Sequence, residues 1–209
     1  ITDGSSDDIE DIAFNNLGTT MYVVERADDK VLEYSLSCAW DVVTSGCTVT
    51  DNNSDFAIPN DVTNNPEDIA FNKSGTIMYI LDNDQQVAGD QVFQYRVPTA
   101  WDVSSITEDP ASFSLDSTAS GRNPDAFEFS ANGKRLFVSD PTGGANPDDT
   151  ILQYDLSTAW VVSSATLTKT LDISANVSGD VKGLAFGDDG NKLFVVDNAD
   201  DVIQYNLSN

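Results

Sequence analysis

Short apolar strings, broken by polar loops and turn residues, recur along this chain at one fixed interval. A phenylalanine closes one of them at Phe14, Phe71, Phe129 and Phe186, at spacings of 57, 58 and 57 residues. The surrounding text is recognisably the same each time: EDIAFNNLGTTMYVVE, EDIAFNKSGTIMYILD, DAFEFSANGKRLFVSD and KGLAFGDDGNKLFVVD. A period this long with strand-like content means stacked supersecondary units. Within a unit the pattern predicts four strands. In the second, the run ending at Phe71 is bounded by Pro66, which suits the start of a strand. The turn Asn72-Lys73-Ser74-Gly75 follows, with glycine recurring as Gly18, Gly133 and Gly190, so that a second strand folds straight back. That strand reads MYIL here and MYVV, LFVS and LFVV elsewhere, aromatic and β-branched as strands prefer. After an Asp-rich loop a third strand ends in Tyr34, Tyr95, Tyr154 or Tyr205. Trp40, Trp101 and Trp160 then stand at one equivalent position, and segments such as 163–173 alternate as a fourth strand should.

No stretch has helical periodicity. Four strands per unit suit a propeller blade, for which repeats of roughly 40 to 50 residues are typical, here lengthened by an outer hairpin. The expected fold is therefore all-β: a β-propeller of four blades, each of four antiparallel strands. The whole chain, 1–209, reads as one propeller domain or segment with repeats near 2–58, 59–115, 116–173 and 174–209. The columns of Phe14, Tyr22, Tyr34 and their equivalents are expected in the inter-blade core, since sheets packed face to face bury both faces.

The strings P-x-D-I-A-F, G-x-x-M/L-Y/F-V-V-D and D-x-V-x-Q-Y resemble the NHL and YVTN class of propeller repeats, over nearly the whole chain. The resemblance implies the fold, whereas propellers host enzymes, sensors and adhesive modules alike. The segment opening A-W-D-V is longer than those families usually carry.

Aligned on the phenylalanines, Ile1 falls on Ile58 and Ile173 and beside Leu115, and the fourth unit stops where its Thr-Ala-Trp should begin. The fourth blade is thus expected without its outer strand. A module from a longer polypeptide, a compact four-bladed ring with one three-stranded blade, and an outer strand taken from a neighbouring molecule all fit, the last because an open edge templates strand addition.

A net charge of −25 and a pI near 4.1 argue against nucleic acid and anionic membrane surfaces, which need a positive patch. No apolar run approaches the length of a transmembrane helix. The acidity is mostly aspartate, 29 residues against six glutamates, and aspartate is a turn residue. So strong a charge suits saline, cation-rich surroundings. Cys38 and Cys47, the two cysteines, flank a single connection in the first unit. Zinc is not completed by two thiols in a chain without histidine, so they read as a disulfide and imply an oxidising compartment. Sequons at Asn52, Asn72, Asn176 and Asn206 are glycosylation candidates in a secreted chain.

Without histidine, serine–histidine triads and imidazole bases are excluded, which leaves carboxylates. The residue ending the second strand is acidic in every unit: Glu25, Asp82, Asp140 and Asp197. The residue five before the recurrent tyrosine is Asp29, Asp90, Asp149 or Asp200. Loops entering the first strand add Glu10, Asp11, Glu67, Asp68, Asp125 and Asp180. In a propeller these loops share one face, expected to be strongly acidic, while the glycine turns carry Lys73, Lys134, Arg135 and Lys192 on the other. The repeated acids serve either as turn caps or as ligands for Ca²⁺, which takes about six to eight oxygens. Candidate metal residues are Asp82, Asp84 and Asp90, then Asp140, Asp148 and Asp149, and a set around a central ion from Glu10, Asp11, Glu67, Asp68 and Asp125. Lys182 and Gly183 break that last set in the fourth unit.

The reading that follows is a secreted or surface-displayed propeller module that binds protein or glycan, or further copies of itself, with no nucleic acid and no membrane insertion. A calcium-dependent hydrolase or lactonase with a carboxylate site at the channel mouth is one alternative. A filament subunit assembled by outer-strand donation is another.

Overall fold

The computed structural model describes residues 8–59, 65–83, 90–115, 123–140, 149–187 and 190–207. They form sixteen strands and two single turns of 3₁₀-helix, Val103–Ser105 and Val162–Ser164. The first blade holds β1 (Ile9–Phe14), β2 (Thr20–Glu25) and β3 (Lys30–Leu36), with β4 (Val49–Asp51) and β5 (Phe56–Ala57) both pairing β3. The second runs β6 (Pro66–Phe71), β7 (Ile77–Asp82), β8 (Gln91–Arg96) and β9 (Ala111–Ser114). The third runs β10 (Phe127–Phe129), β11 (Arg135–Asp140), β12 (Thr150–Leu156) and β13 (Ala165–Asp172). The fourth has three strands, β14 (Val181–Gly187), β15 (Lys192–Asp197) and β16 (Val202–Asn206). The fold is an all-β propeller of four antiparallel blades, and the three-stranded fourth blade agrees with the sequence expectation.

The outer strand of the first blade is broken where the sequence promised a continuous one. Asp51 accepts the Asn53 N–H at 2.7 Å and Asn53 takes φ 49°, so the chain turns out of the ladder between β4 and β5. A short polar side chain capturing its own backbone competes with strand pairing.

The chain divides into two compact units, Ile1–Asp82 with Phe93–Ala111, and Asn83–Val92 with Ser112–Asn209. In the first, the core joins facing sheets of the first and second blades. Tyr22, Val24 and Val31 of one meet Ile69, Met78 and Ile80 of the other, and the rings of Tyr22 and Phe71 lie 4.6 Å apart. The Tyr22 hydroxyl donates to the Trp101 carbonyl, which satisfies its one polar atom. Burial, with Glu33 nearby, raises its pKa. In the second unit Ile151 and Phe137 of the third blade pack on Leu193, Val195 and Phe186 of the fourth, with the Phe137 and Phe186 rings at 4.5 Å.

Each tryptophan is locked to the glycine turn of its own blade. Trp40, Trp101 and Trp160 take φ of 61°, 66° and 65°, and their N–H groups donate to the carbonyls of Gly18, Gly75 and Gly133 at 2.8, 2.9 and 2.8 Å. The indoles lie over those glycines and rest on Phe14, Phe71 and Phe129 at 5.4, 5.3 and 5.3 Å between ring centres. Gly75 is therefore required twice, for its φ of 67° and because a methyl group would overlap the Trp101 ring.

Cys38 and Cys47 are bonded, with their Cα atoms 5.5 Å apart. The bond closes a loop within one connection, so reduction should cost about 2–3 kcal/mol of stability. Urea unfolding with and without reductant measures that difference. Two free thiols in unreduced peptides from the exported protein would remove both the bond and its compartmental meaning.

Candidate carboxylate site

The acids that the repeat makes legible are mostly committed to the backbone. In the first unit Glu25 is fully buried, and its two oxygens accept the N–H groups of Ala27 and Asp28, each at 2.9 Å. Asp82 accepts the Asn65 N–H of the entering loop at 3.2 Å. In the second unit Asp197 accepts Ser178 at 3.0 Å, Ala199 at 3.1 Å and Asp201 at 3.0 Å. Those donors, Ser178 foremost, hold its pKa below the ordinary value. Asp140 ends β11 and is buried. The second repeated acid works through its main chain. The carbonyls of Asp29, Asp90 and Asp149 accept the N–H groups of Ile58, Leu115 and Ile173 at 2.8, 3.0 and 3.0 Å, tying the end of the outer strand to the loop. Asp29 and Asp200 adopt φ of 52° and 70°, a conformation that aspartate tolerates better than most residues.

The entry-loop acids are organised by cations. Counted four residues before the recurrent phenylalanine, Glu10, Glu67, Asp125 and Lys182 occupy one position. Arg26 reaches Glu10 at 2.8 Å and Glu67 at 3.1 Å, and also Asp8 at 2.7 Å. In the second unit Lys182 meets Asp125 at 2.6 Å, while Asn83 donates to the other Asp125 oxygen at 3.2 Å. The Ser139 hydroxyl oxygen accepts the N–H groups of Asp125 and Ala126 at 3.2 and 3.0 Å, fixing the loop. Burial raises the Asp125 pKa, and Lys182 offsets part of that rise. The next position pairs Asp11 with Asp68. Asp11 accepts the Ile69 N–H at 3.2 Å, and burial raises its pKa against those bonds.

Among the described residues, no three acids or cysteines are disposed to hold a metal ion. The candidates thus divide: Glu10, Glu67 and Asp125 meet cations, Asp11 and Asp68 meet each other, and Asp82, Asp90 and Asp149 serve loops. Asp84 and Asp148 lie outside the described residues. Of the sequons, Asn72 is buried and forms its turn, accepting Thr76 and Ile77 N–H groups at 3.0 and 3.2 Å while its amide donates to Thr76. Asn52 donates to Glu33 at 3.0 Å, whereas Asn176 and Asn206 are exposed. Arg26 escaped the repeat-based reading because its equivalents are Asn83, Pro141 and Asn198. The signal was nonetheless present, for Asn83 and Asn198 also donate to entry-loop carboxylates, those of Asp125 and Asp180.

No family model matches the chain, and no curated protein matches it. Solved structures do. A candidate 6-phosphogluconolactonase of Bacteroides fragilis aligns at 13% identity and TM-score 0.61, over 99% of this chain and 53% of that one. A chain of the nidogen/laminin complex aligns at 15% and 0.58, over 96% and 61%. The Cps50 (Swd1) β-propeller domain of Myceliophteria thermophila aligns at 11% and 0.57, over 96% and 54%. The chain spans about half the length of the structures it matches. At these identities the likeness carries the propeller fold alone.

Proposed function

We propose that the chain is a non-catalytic, protein-binding propeller module of an oxidising compartment, outside the cell or on its surface. The observation that carries this reading is the pairing of the entry-loop acids Glu10, Glu67 and Asp125 with Arg26 and Lys182. A catalytic carboxylate needs a substrate proton or an ion within reach, whereas these oxygens are engaged by fixed cations. The disulfide supports the compartment. Similar propellers occur in the nidogen/laminin and mitotic checkpoint complexes, which supports a protein as the ligand. The charge of −25 favours a basic partner, met at rates that fall with salt. The three-stranded fourth sheet supports a second reading, assembly through an outer strand accepted from elsewhere.

Binding of purified basic, neutral and glycan-bearing extracellular proteins to the immobilised chain, at low and high salt, tests the first reading. A basic protein should associate more slowly as salt rises. Calcium at millimolar concentration should raise the melting temperature no more than sodium chloride of matched ionic strength. A calcium-specific rise, or lactone hydrolysis lost in Glu67→Gln or Asp125→Asn, would replace the proposal with the metal-dependent enzyme.

A further inference from the structure

Three of the four glycine turns carry an indole, and the fourth is built to the same plan without one. A Cβ at Gly18, Gly75 or Gly133 would overlap Trp40, Trp101 or Trp160, whereas at Gly190, with φ 86°, it would meet nothing within 4 Å. The exit from the third strand is nevertheless the same. Leu36, Val97 and Leu156 donate to the carbonyls of Thr19, Thr76 and Lys134 at 2.8, 2.9 and 2.8 Å, and Leu207 donates to Asn191 at 2.8 Å. Each of the first three bonds lies four residues before the tryptophan that covers the turn.

The strand edge beside this turn is open as well. β12 pairs β11 on one side and β13 on the other, while β16 pairs β15 alone. Ile151 of β12 faces Leu171 across the ladder and is 2% exposed, whereas its equivalent in β16, Val202, is 71% exposed. An apolar residue on an unpaired edge is a template for another strand.

We propose that Gly190 and β16 together form a receptor site for a tryptophan-led strand of this same repeat type, carried by a polypeptide segment outside residues 8–207. This rests on the strand-acceptance reading and adds its recognition element. The incoming indole covers Gly190, its backbone N–H donates to the Gly190 carbonyl, and the alternating strand behind it pairs with β16 beside Val202. The three filled turns supply the chemistry of the occupant: a small residue, a tryptophan able to adopt positive φ, then a strand.

A synthetic peptide of residues 157–173, STAWVVSSATLTKTLDI, is the probe, titrated calorimetrically into the full chain. It should bind and slow hydrogen exchange at Val202–Asn206. The Trp160→Ala peptide should bind about 30-fold more weakly, the effect of losing a buried aromatic anchor. Gly190→Leu in the chain should weaken the parent peptide similarly, whereas Gly46→Ala, at a glycine also open to solvent, should not. If both peptides bind equally, strand acceptance holds and the indole site is overturned. If neither binds, strand acceptance itself fails. Self-association of the chain that protects β16 without peptide would make a second copy the occupant and overturn the proposal as stated.

Discussion

Replacing Trp101 by alanine should lower the unfolding free energy by about 3–5 kcal/mol, the range for removing a large packed aromatic. The melting temperature should fall by roughly 6–15 °C for a chain of this size. The side chain covers Gly75 and Phe71 and adjoins the core between the first two blades. Trp40→Ala should cost less, because that indole is 61% exposed on its glycine. A double-mutant cycle separates the contact from the backbone. Gly75→Ala alone meets two penalties, the positive φ of 67° and the overlap with the indole. Combined with Trp101→Ala the overlap disappears, leaving about 1–2 kcal/mol for the left-handed conformation. The two substitutions should therefore be strongly sub-additive. Additive losses, or a Trp101→Ala cost below that of Trp40→Ala, would dismiss the latch.

That latch shows where sequence reasoning stops. The blades, their strands and the short fourth sheet were legible because the period is nearly constant and every strand repeats. The tryptophans were visible as equivalents, yet their partner was not. The separation from glycine to tryptophan is 22, 26 and 27 residues in the three blades, so no fixed spacing announces the pair. A loop of variable length lies between them, and only the fold brings them together. The acids illustrate the converse. Glu25, Asp82, Asp140 and Asp197 repeat without exception, which is how a structural cap behaves, and Glu25 and Asp197 hold their loops in that way. What decides the character of the site is a pair of residues that do not repeat, Arg26 and Lys182. Repetition reveals architecture, and the departures from it carry the chemistry.

Lys182→Met should destabilise the protein by roughly 2–4 kcal/mol at pH 7, because it leaves a buried carboxylate without its counter-charge. Asp125 is almost entirely buried, and its remaining polar contacts, from Asn83 and the local backbone, cannot neutralise a full charge. The pH dependence follows from the direction of its shift. Burial raises the folded pKa of Asp125 above the unfolded value even with Lys182 present, and removing the lysine raises it further. Between the two pKa values the folded state binds the proton more tightly, so stability falls as pH rises. The loss in Lys182→Met, measured against the parent chain, should therefore be small below the ordinary aspartate range and grow as pH climbs through the raised folded pKa. Referencing to the parent cancels the opposite trend from Asp197, whose lowered pKa stabilises the fold above the ordinary range and fails as pH falls. Asp125→Asn in the Lys182→Met background removes the charge while keeping a hydrogen-bonding side chain, and should recover much of the loss at pH 7. Urea titrations of the three proteins from pH 4 to pH 8 supply the comparison. A Lys182→Met penalty that is independent of pH, or unrelieved by Asp125→Asn, would mean that the lysine contributes its aliphatic stem and that the entry-loop acids are not organised by charge.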